Sequence, residues 1–203
     1  MSFRTGGISE ELKDILVSVV ALTAAFSILL YLHGNPPFNV DPLVTVGTSL
    51  LLVTTAFLLH ELSHRYVARS YGGTAFFKVW PFGILLAIMT SFLGIIFAAP
   101  GAVNISGVYR EDQIGKTALA GPATNIIIGT AFYVAAFLMT PYTLLWVVIG
   151  YVGVINLWFG LFNLIPIPPL DGSKIMRWDF RLYIVVVAIA LVMNVFDGFL
   201  LSF

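Results

Sequence analysis

The sequence predicts an all-α polytopic membrane protein with about five transmembrane helices and a small membrane-embedded β-hairpin or re-entrant region after the second helix. Of its 203 residues, 59% are hydrophobic and 10% are charged, whereas a soluble domain carries about 25% charged residues. Several uncharged apolar runs approach or exceed the roughly 18 residues typical of a membrane-spanning helix. The positions of the basic residues then limit how many of these runs cross the membrane.

Turn-forming and helix-capping residues separate the predicted spans. His33-Gly34-Asn35-Pro36-Pro37 ends the first. Asp41-Pro42 then supplies a helix N-cap followed by proline at the first helical position, and Gly72-Gly73 ends the second helix. The five predicted spans cover residues 15–32, 43–71, 113–139, 142–164 and 181–200. The whole chain, 1–203, is expected to form one membrane domain.

Residues 76–106 leave alternatives open. Phe82–Ala99 is apolar enough to cross the membrane, so a strand, a re-entrant helix and a full span all remain possible. None of the ten Lys and Arg residues falls in the 33–42 or 139–142 loops. If 82–99 does not cross, all ten lie on one side, which the positive-inside rule makes cytoplasmic. We therefore expect 76–106 to dip into the membrane, with the N-terminus cytoplasmic and the C-terminus outside.

The pentapeptide His60-Glu61-Leu62-Ser63-His64 lies at the inner end of the second predicted helix. On an α-helix, positions i and i+4 share a face about 6 Å apart, so both imidazoles can bind one Zn²⁺. Glu61 lies about 100° round the helix, where it can act as a base on water without binding the metal. This is the signature of zinc hydrolases. Because ionisable residues inside a span are costly, simple polar pairing is the weaker interpretation.

A third metal ligand is expected at Asp171, which follows the fourth span. The chain has no cysteine, so a metal site must use His, Asp or Glu. Three prolines between Asn163 and Asp171 end the helix and leave Asp171 on irregular backbone near the cytoplasmic face. Since the second and fourth spans both run inward, His60, His64 and Asp171 are predicted to meet at one depth. A loop or helix-capping role is the alternative for Asp171.

Two motifs, His60-Glu61-Leu62-Ser63-His64 and Asn163-x-x-Pro166-x-x-x-Leu170-Asp171-Gly172, together resemble those of the site-2 protease family of intramembrane zinc metalloproteases. Gly121-Pro122-x-x-Asn125 is similar to the family's intervening motif. The resemblance covers residues 43–178, the family's catalytic core. It implies that His60, His64 and Asp171 bind one Zn²⁺ per chain. It also implies that Glu61 is the catalytic base and that Asn163 holds substrate or stabilises the oxyanion.

Two asparagines have competing interpretations. Asn163 could instead cap the broken end of the fourth span. Asn125 is a candidate for substrate or oxyanion support, with an interhelical hydrogen bond as the alternative.

The resemblance also implies a function and partners. The expected activity is hydrolysis of peptide bonds in transmembrane segments, near their cytoplasmic end, by a site close to the cytoplasmic side. The 76–106 region would match the family's membrane-embedded β region, whose edge strand pairs with extended substrate. The expected partners are these segments and the lipid bilayer. With zero net charge and no run of basic residues, nucleic acid is not expected. Oligomeric state does not follow from the sequence.

Neither a PDZ insertion nor a CBS-domain tail is recognisable, so the chain is expected to be a minimal form of the family. Two other classes of protein remain as alternatives. A zinc transporter could use intramembrane His and Asp residues as a transit site, although it would not need Glu61 as a base. A catalytically inactive membrane scaffold is the other. The Glu61→Gln variant distinguishes a protease from both alternatives, because in a protease this variant should still bind zinc but no longer cleave substrate.

Overall fold

A computed structural model describes the backbone of residues 8–96 and 100–200, and side chains from Ser9 to Val195 within those ranges. Its elements are α1 (Ile8–His33), α2 (Pro42–Leu52), a π-helical segment (Val53–Leu58), α3 (Leu59–Ser70), β1 (Thr74–Val79), α4 (Pro81–Ser91), β2 (Gly101–Ser106), α5 (Glu111–Phe137), α6 (Leu144–Asn163), α7 (Gly172–Trp178) and α8 (Phe180–Leu200).

Within the described residues, four helices are long and apolar enough to cross a membrane, namely Ser9–His33, Pro42–Ser70, Glu111–Phe137 and Leu144–Asn163. The chain is a mostly helical, multi-pass membrane protein, as predicted. The observed bounds of α5 and α6 differ from the predicted ones by about two residues or fewer at each end, the usual uncertainty of helix ends.

The chain forms two compact units. One contains the residues up to Val53 together with Ala75–Asn104, and the other contains Thr54–Thr74 and the residues from Ile105 onward. The first holds α1, α2, α4 and most of the two-stranded sheet. The second holds α3, α5, α6, α7 and α8 and includes every predicted site residue.

In the first unit, β1 and α4 lie along α1. Glu11 Oε1, near the start of α1, accepts the N–H of Phe77 in β1 at 2.9 Å. At the other end of α1, His33 Nε2 lies 3.1 Å from the carbonyl oxygen of Phe92, which follows α4. Glu11 and His33 are about 33 Å apart along the helix, close to the thickness of a bilayer's apolar core. The segment therefore runs nearly the full length of α1.

After α4 the chain returns towards the start of α1. Ser18 Oγ donates to the carbonyl oxygen of Pro100 at 3.3 Å, and Trp80 N–H donates to the same oxygen at 2.8 Å. Gly101 lies directly against the carbonyl oxygen of Lys78. Later residues of β1 thus face earlier residues of β2, so the strands are antiparallel. The 76–106 region contains strands, as predicted, but also the short helix α4 between them.

The second predicted helix begins as expected at its N-cap and departs from the prediction in its middle. Asp41 Oδ1 accepts the N–H groups of Leu43 and Val44 at 2.9 and 3.3 Å, with Pro42 at the first helical position. The helix continues to Ser70, but Val53–Leu58 has π-helical hydrogen bonding. Such turns are rare and often occur at functional sites.

In the second unit, α8 packs antiparallel to α6. Tyr183 Oη donates to the carbonyl oxygen of Leu164 at 3.1 Å, and Asn194 Nδ2 donates to that of Leu157 at 3.1 Å. Later residues of α8 therefore contact earlier residues of α6. Tyr183, with Ile175 of α7 and Leu164, belongs to a buried apolar cluster that fixes α7 against both helices.

Candidate metal centre

The two histidines of the pentapeptide lie on one buried face of α3. His60 is 3% exposed and His64 is 7% exposed, and their rings meet edge to face with centroids 4.7 Å apart. Their Nε2 atoms are 3.0 Å apart. This is the i, i+4 arrangement predicted from the sequence.

Asp171 approaches the same point from the end of α6. It occupies the N-cap position of α7 but makes no capping hydrogen bond with its side chain. Its Oδ2 instead lies 3.5 Å from His60 Nε2 and 3.1 Å from His64 Nε2. The structure therefore brings the three predicted ligands together, and the Asp171 side chain faces the histidines without capping α7.

The next residue, Gly172, makes this approach possible. A Cβ at that position would clash with the backbone carbonyl of Leu164. Any larger residue would push the loop away from the end of α6 and move Asp171 with it. The Asp-Gly pair is thus a packing requirement of the site and not only a turn.

The hydrogen-bond partners of the two Nδ1 atoms determine the tautomers of His60 and His64. His60 Nδ1 lies 2.5 Å from Asn125 Oδ1, and His64 Nδ1 lies 2.7 Å from the carbonyl oxygen of Thr117. Both oxygens can only accept, since Asn125 Nδ2 faces the carbonyl oxygen of Ala56 and the side-chain oxygen of Asn156. The proton is therefore on Nδ1 in both rings, and each Nε2 presents a lone pair.

These atoms form a donor set suited to zinc. Two imidazole nitrogens and one carboxylate oxygen, all acceptors, converge with no hydrogen donor among them. A tetrahedral Zn²⁺ with bonds of about 2.0–2.2 Å separates its ligand atoms by about 3.3–3.6 Å. The observed separations of 3.0, 3.1 and 3.5 Å fit this within a few tenths of an ångström. Three protein ligands leave a fourth position open, as in catalytic sites.

Gly121 of α5 provides the space for such an ion. A Cβ there would lie 2.6 Å from His60 Nε2 and would also clash with His64 Nε2. Only glycine allows α5 to pass this close to the Nε2 atoms of the two histidines. A catalytic metal and its open position need the volume that a side chain would fill.

The carboxyl group of Asp171 also has a cationic partner on α7. Lys174 Nζ lies 3.2 Å from Asp171 Oδ1. One carboxylate oxygen thus faces the histidines while the other is paired with Lys174.

The remaining predicted residues surround this cluster. Glu61 is half-buried and follows His60 on α3. Asn163 is half-buried in the last turn of α6 and donates to the carbonyl oxygen of Phe159 at 3.0 Å. Phe159 packs edge-on against the His60 ring, with centroids 5.4 Å apart. Because Phe159 and Asn163 are four residues apart, both lie on the face of α6 that borders the site.

Several groups that contact or support the site were not identified from the sequence, among them the Thr117 carbonyl and Asn156. The Thr117 carbonyl belongs to the backbone, so no residue type could have indicated it. Asn156 hydrogen-bonds to Asn125 and is fully buried. An amide in the middle of an apolar span is unfavourable without partners, and that signal could have found it.

Comparison with known proteins gives a consistent result. The chain is 38% identical, over 83% of its length and 84% of the relative, to a Methanocaldococcus jannaschii protein provisionally named zinc metalloprotease MJ0611. It is 28% identical to one provisionally named zinc metalloprotease YwhC of Bacillus subtilis, over 67% of this chain and 70% of the relative. Zinc metalloprotease MJ0392 of M. jannaschii is 30% identical over 63% of this chain, which matches only 32% of that protein.

Two further comparisons gave no match. No protein-family profile matches the chain, and no solved structure matches it. The similarity to a zinc metalloprotease over 83% of the chain, with both motifs present and their predicted ligands converging, establishes that the chain belongs to the site-2 protease family of zinc metalloproteases.

Proposed function

We propose that the protein is an intramembrane zinc endopeptidase that hydrolyses peptide bonds in transmembrane segments of other proteins, near their cytoplasmic end. The observation that carries the proposal is the convergence of His60, His64 and Asp171. The two histidines lie on a helix apolar enough to cross a membrane, and Asp171 follows the end of another such helix. A pattern of three ligands and one open position is typical of catalytic zinc and atypical of structural zinc.

One Zn²⁺ per chain would be held by His60 Nε2, His64 Nε2 and Asp171 Oδ2. When bound, it supplies Lewis-acid activation of water and of the scissile carbonyl. The chain's own residues keep the ligands ready for it. Asn125 and the Thr117 carbonyl hold the proton on each Nδ1, and Lys174 pairs with the carboxylate oxygen that faces away from the histidines.

Glu61 is proposed as the general base. It accepts a proton from the attacking water and returns it to the leaving amine, so that the new amino terminus departs neutral. Its place next to His60 on α3, and its partial burial, are compatible with a carboxylate that reaches the reacting water without joining the metal ligands.

The two asparagines have different proposed roles. An amide carries two N–H groups, and Asn163 donates one of its own to Phe159 O on the face that borders the site. We assign Asn163 to the substrate carbonyl or oxyanion. All the polar atoms of Asn125 already contact protein groups, so we assign Asn125 to orienting His60 and not to substrate.

The substrate must present an extended peptide bond, because in a helix each amide group is already hydrogen-bonded. Within the described ranges 8–96 and 100–200, the edge of the β1–β2 sheet could pair with an extended segment. The proposed partners are therefore single transmembrane segments and the bilayer.

We also propose five membrane crossings, with α8 as the fifth and the N-terminus in the cytoplasm. The antiparallel packing of α8 on α6 supports this count. So does the proximity of Gly73 and Gly107, the residues that flank the sheet, since a Cβ on Gly107 would lie 3.4 Å from Gly73 Cα. A segment whose ends meet does not cross the membrane once.

Cysteine labelling tests this topology, because the natural chain has no cysteine. We expect single cysteines at Ser70 and Tyr109, which flank the sheet and are exposed, to react with an impermeant reagent from one side only, the cytoplasmic side. A cysteine at exposed Val40 should react only from the other side. Labelling of Ser70 and Tyr109 from opposite sides would mean that the intervening segment crosses.

A reconstitution experiment tests the proposed activity against zinc transport. Purified protein in vesicles is mixed with single-span peptides in water enriched in ¹⁸O. We expect products cut within the apolar stretch, with one ¹⁸O in the new carboxyl terminus, and no zinc flux across the vesicle membrane. Zinc flux without cleavage would support a transporter, and neither activity from a zinc-loaded protein would support an inactive scaffold.

A further inference from the structure

A chain of buried amides connects His60 to the fourth long helix. Asn125 and Asn156 are both 0% exposed. Asn125 Nδ2 donates to Asn156 Oδ1 at 3.2 Å. Asn156 Nδ2 in turn donates to Thr55 Oγ1 at 2.9 Å and to the carbonyl oxygen of Val152 at 2.8 Å. Both asparagines are thus fully engaged in one network.

This network gives each amide a single orientation. If the Asn156 amide were flipped, its nitrogen would face the nitrogen of Asn125 and its oxygen would face the Val152 carbonyl, and both contacts would be repulsive. Asn156, together with the Ala56 carbonyl oxygen that also accepts from Asn125 Nδ2, therefore sets the orientation of the Asn125 amide. Asn125 in turn presents its oxygen to His60 Nδ1 at 2.5 Å.

The π-helical segment anchors the network on the same helix that carries His60. Thr55 and Ala56 both belong to Val53–Leu58, and the Ala56 carbonyl oxygen accepts from Asn125 Nδ2 at 2.9 Å. The i→i+5 bonding of a π turn brings residues five apart towards one face. Thr55 and His60 are five apart, and both point into the network.

We infer that Asn156 is a positioning residue of the metal centre, which acts through Asn125 to set the orientation and tautomer of His60. The inference rests on the proposed zinc site and extends it by one further layer. Partners of this kind typically change metal affinity by about 10–100-fold when removed. If Asn156 were merely structural, replacing it would lower the stability of the protein without changing zinc affinity through Asn125.

The test measures zinc affinity by competition with a chelator, and the absorption spectrum of the Co²⁺-substituted protein. Asn156→Leu keeps similar volume and removes the amide. We expect about a tenfold loss of zinc affinity, at the lower end of the range for outer-sphere partners, with a changed Co²⁺ spectrum.

The matched control is Asn194→Leu, which removes another intramembrane amide, one that donates to the backbone carbonyls of Leu157 and Ala190. Its zinc affinity and spectrum should be those of wild type.

A double mutant separates positioning from stability. If Asn156 acts through Asn125, adding Asn156→Leu to Asn125→Ala should lower zinc affinity no further. Additive losses, or unchanged affinity in a folded Asn156→Leu protein, would overturn the inference. If Asn156→Leu does not fold, Thr55→Val decides, because it keeps the shape of the side chain and removes the hydroxyl that accepts from Asn156. About a threefold loss of affinity is expected there, and no loss would contradict the inference. Failure of the wild type to bind zinc would instead refute the proposed function.

Discussion

Glu61→Gln is expected to abolish proteolysis while leaving the bound zinc unchanged. Glutamine has nearly the same shape, but its amide cannot accept the proton of the attacking water. General base catalysis typically contributes about 10²–10⁴-fold, so we expect activity to fall by at least about a hundredfold. The measurement is the rate of cleavage of a single-span peptide together with zinc content per chain.

The matched control for that variant is Glu111→Gln, an equally conservative change at an exposed position in the first turn of α5. It should leave both the rate and the zinc content as in wild type. If Glu61→Gln instead lost zinc, Glu61 would be a ligand. If it cleaved at the wild-type rate, the proposed base would lie elsewhere.

Asp171→Ala is expected to lose both zinc and proteolysis. The change removes the carboxylate oxygen that lies 3.1 and 3.5 Å from the two Nε2 atoms. Loss of a direct ligand should weaken binding by more than the roughly 10–100-fold typical of an outer-sphere partner. Zinc content after dialysis against a chelator measures the effect.

Asp179→Ala serves as its control. Asp179 is exposed and caps the start of α8 by accepting the N–H of Leu182. Removing a cap typically lowers stability by about 1 kcal/mol, but the side chain has no part in the site. Zinc content should therefore stay at the wild-type level. Full zinc retention in Asp171→Ala would show that this aspartate is not a ligand.

The sequence alone predicted that His60, His64 and Asp171 would converge, and the structure brings them together. Two histidines four residues apart needed only a helix to share a face, and α3 provides it. Asp171 was predicted at the same depth because both helices leading to the site run in the same direction. Local capping chemistry also predicted the start of α2 at Asp41 correctly, since that N-cap depends only on neighbouring residues.

The parts that the sequence did not predict depend on tertiary contacts. The π turn at Val53–Leu58 is accompanied by the network of Asn125 and Asn156, and no local pattern distinguishes it from an α-helix. The sequence could not distinguish helix α4 from a strand. Its residues are apolar on every side, so the hydrophobic pattern has neither the helical nor the strand period. Asn163 and Asn125 were both candidates for substrate contact, and only their hydrogen-bond partners led us to assign them different roles.

Zinc K-edge X-ray absorption of the purified wild-type protein tests the central claim most directly. The account predicts one zinc per chain with two imidazole ligands and oxygen ligands at about 2.0–2.2 Å. Any zinc that remains bound in His60→Ala should show weaker imidazole scattering, because one of the two rings is gone. A zinc shell without imidazole, or one unchanged in His60→Ala, would contradict it.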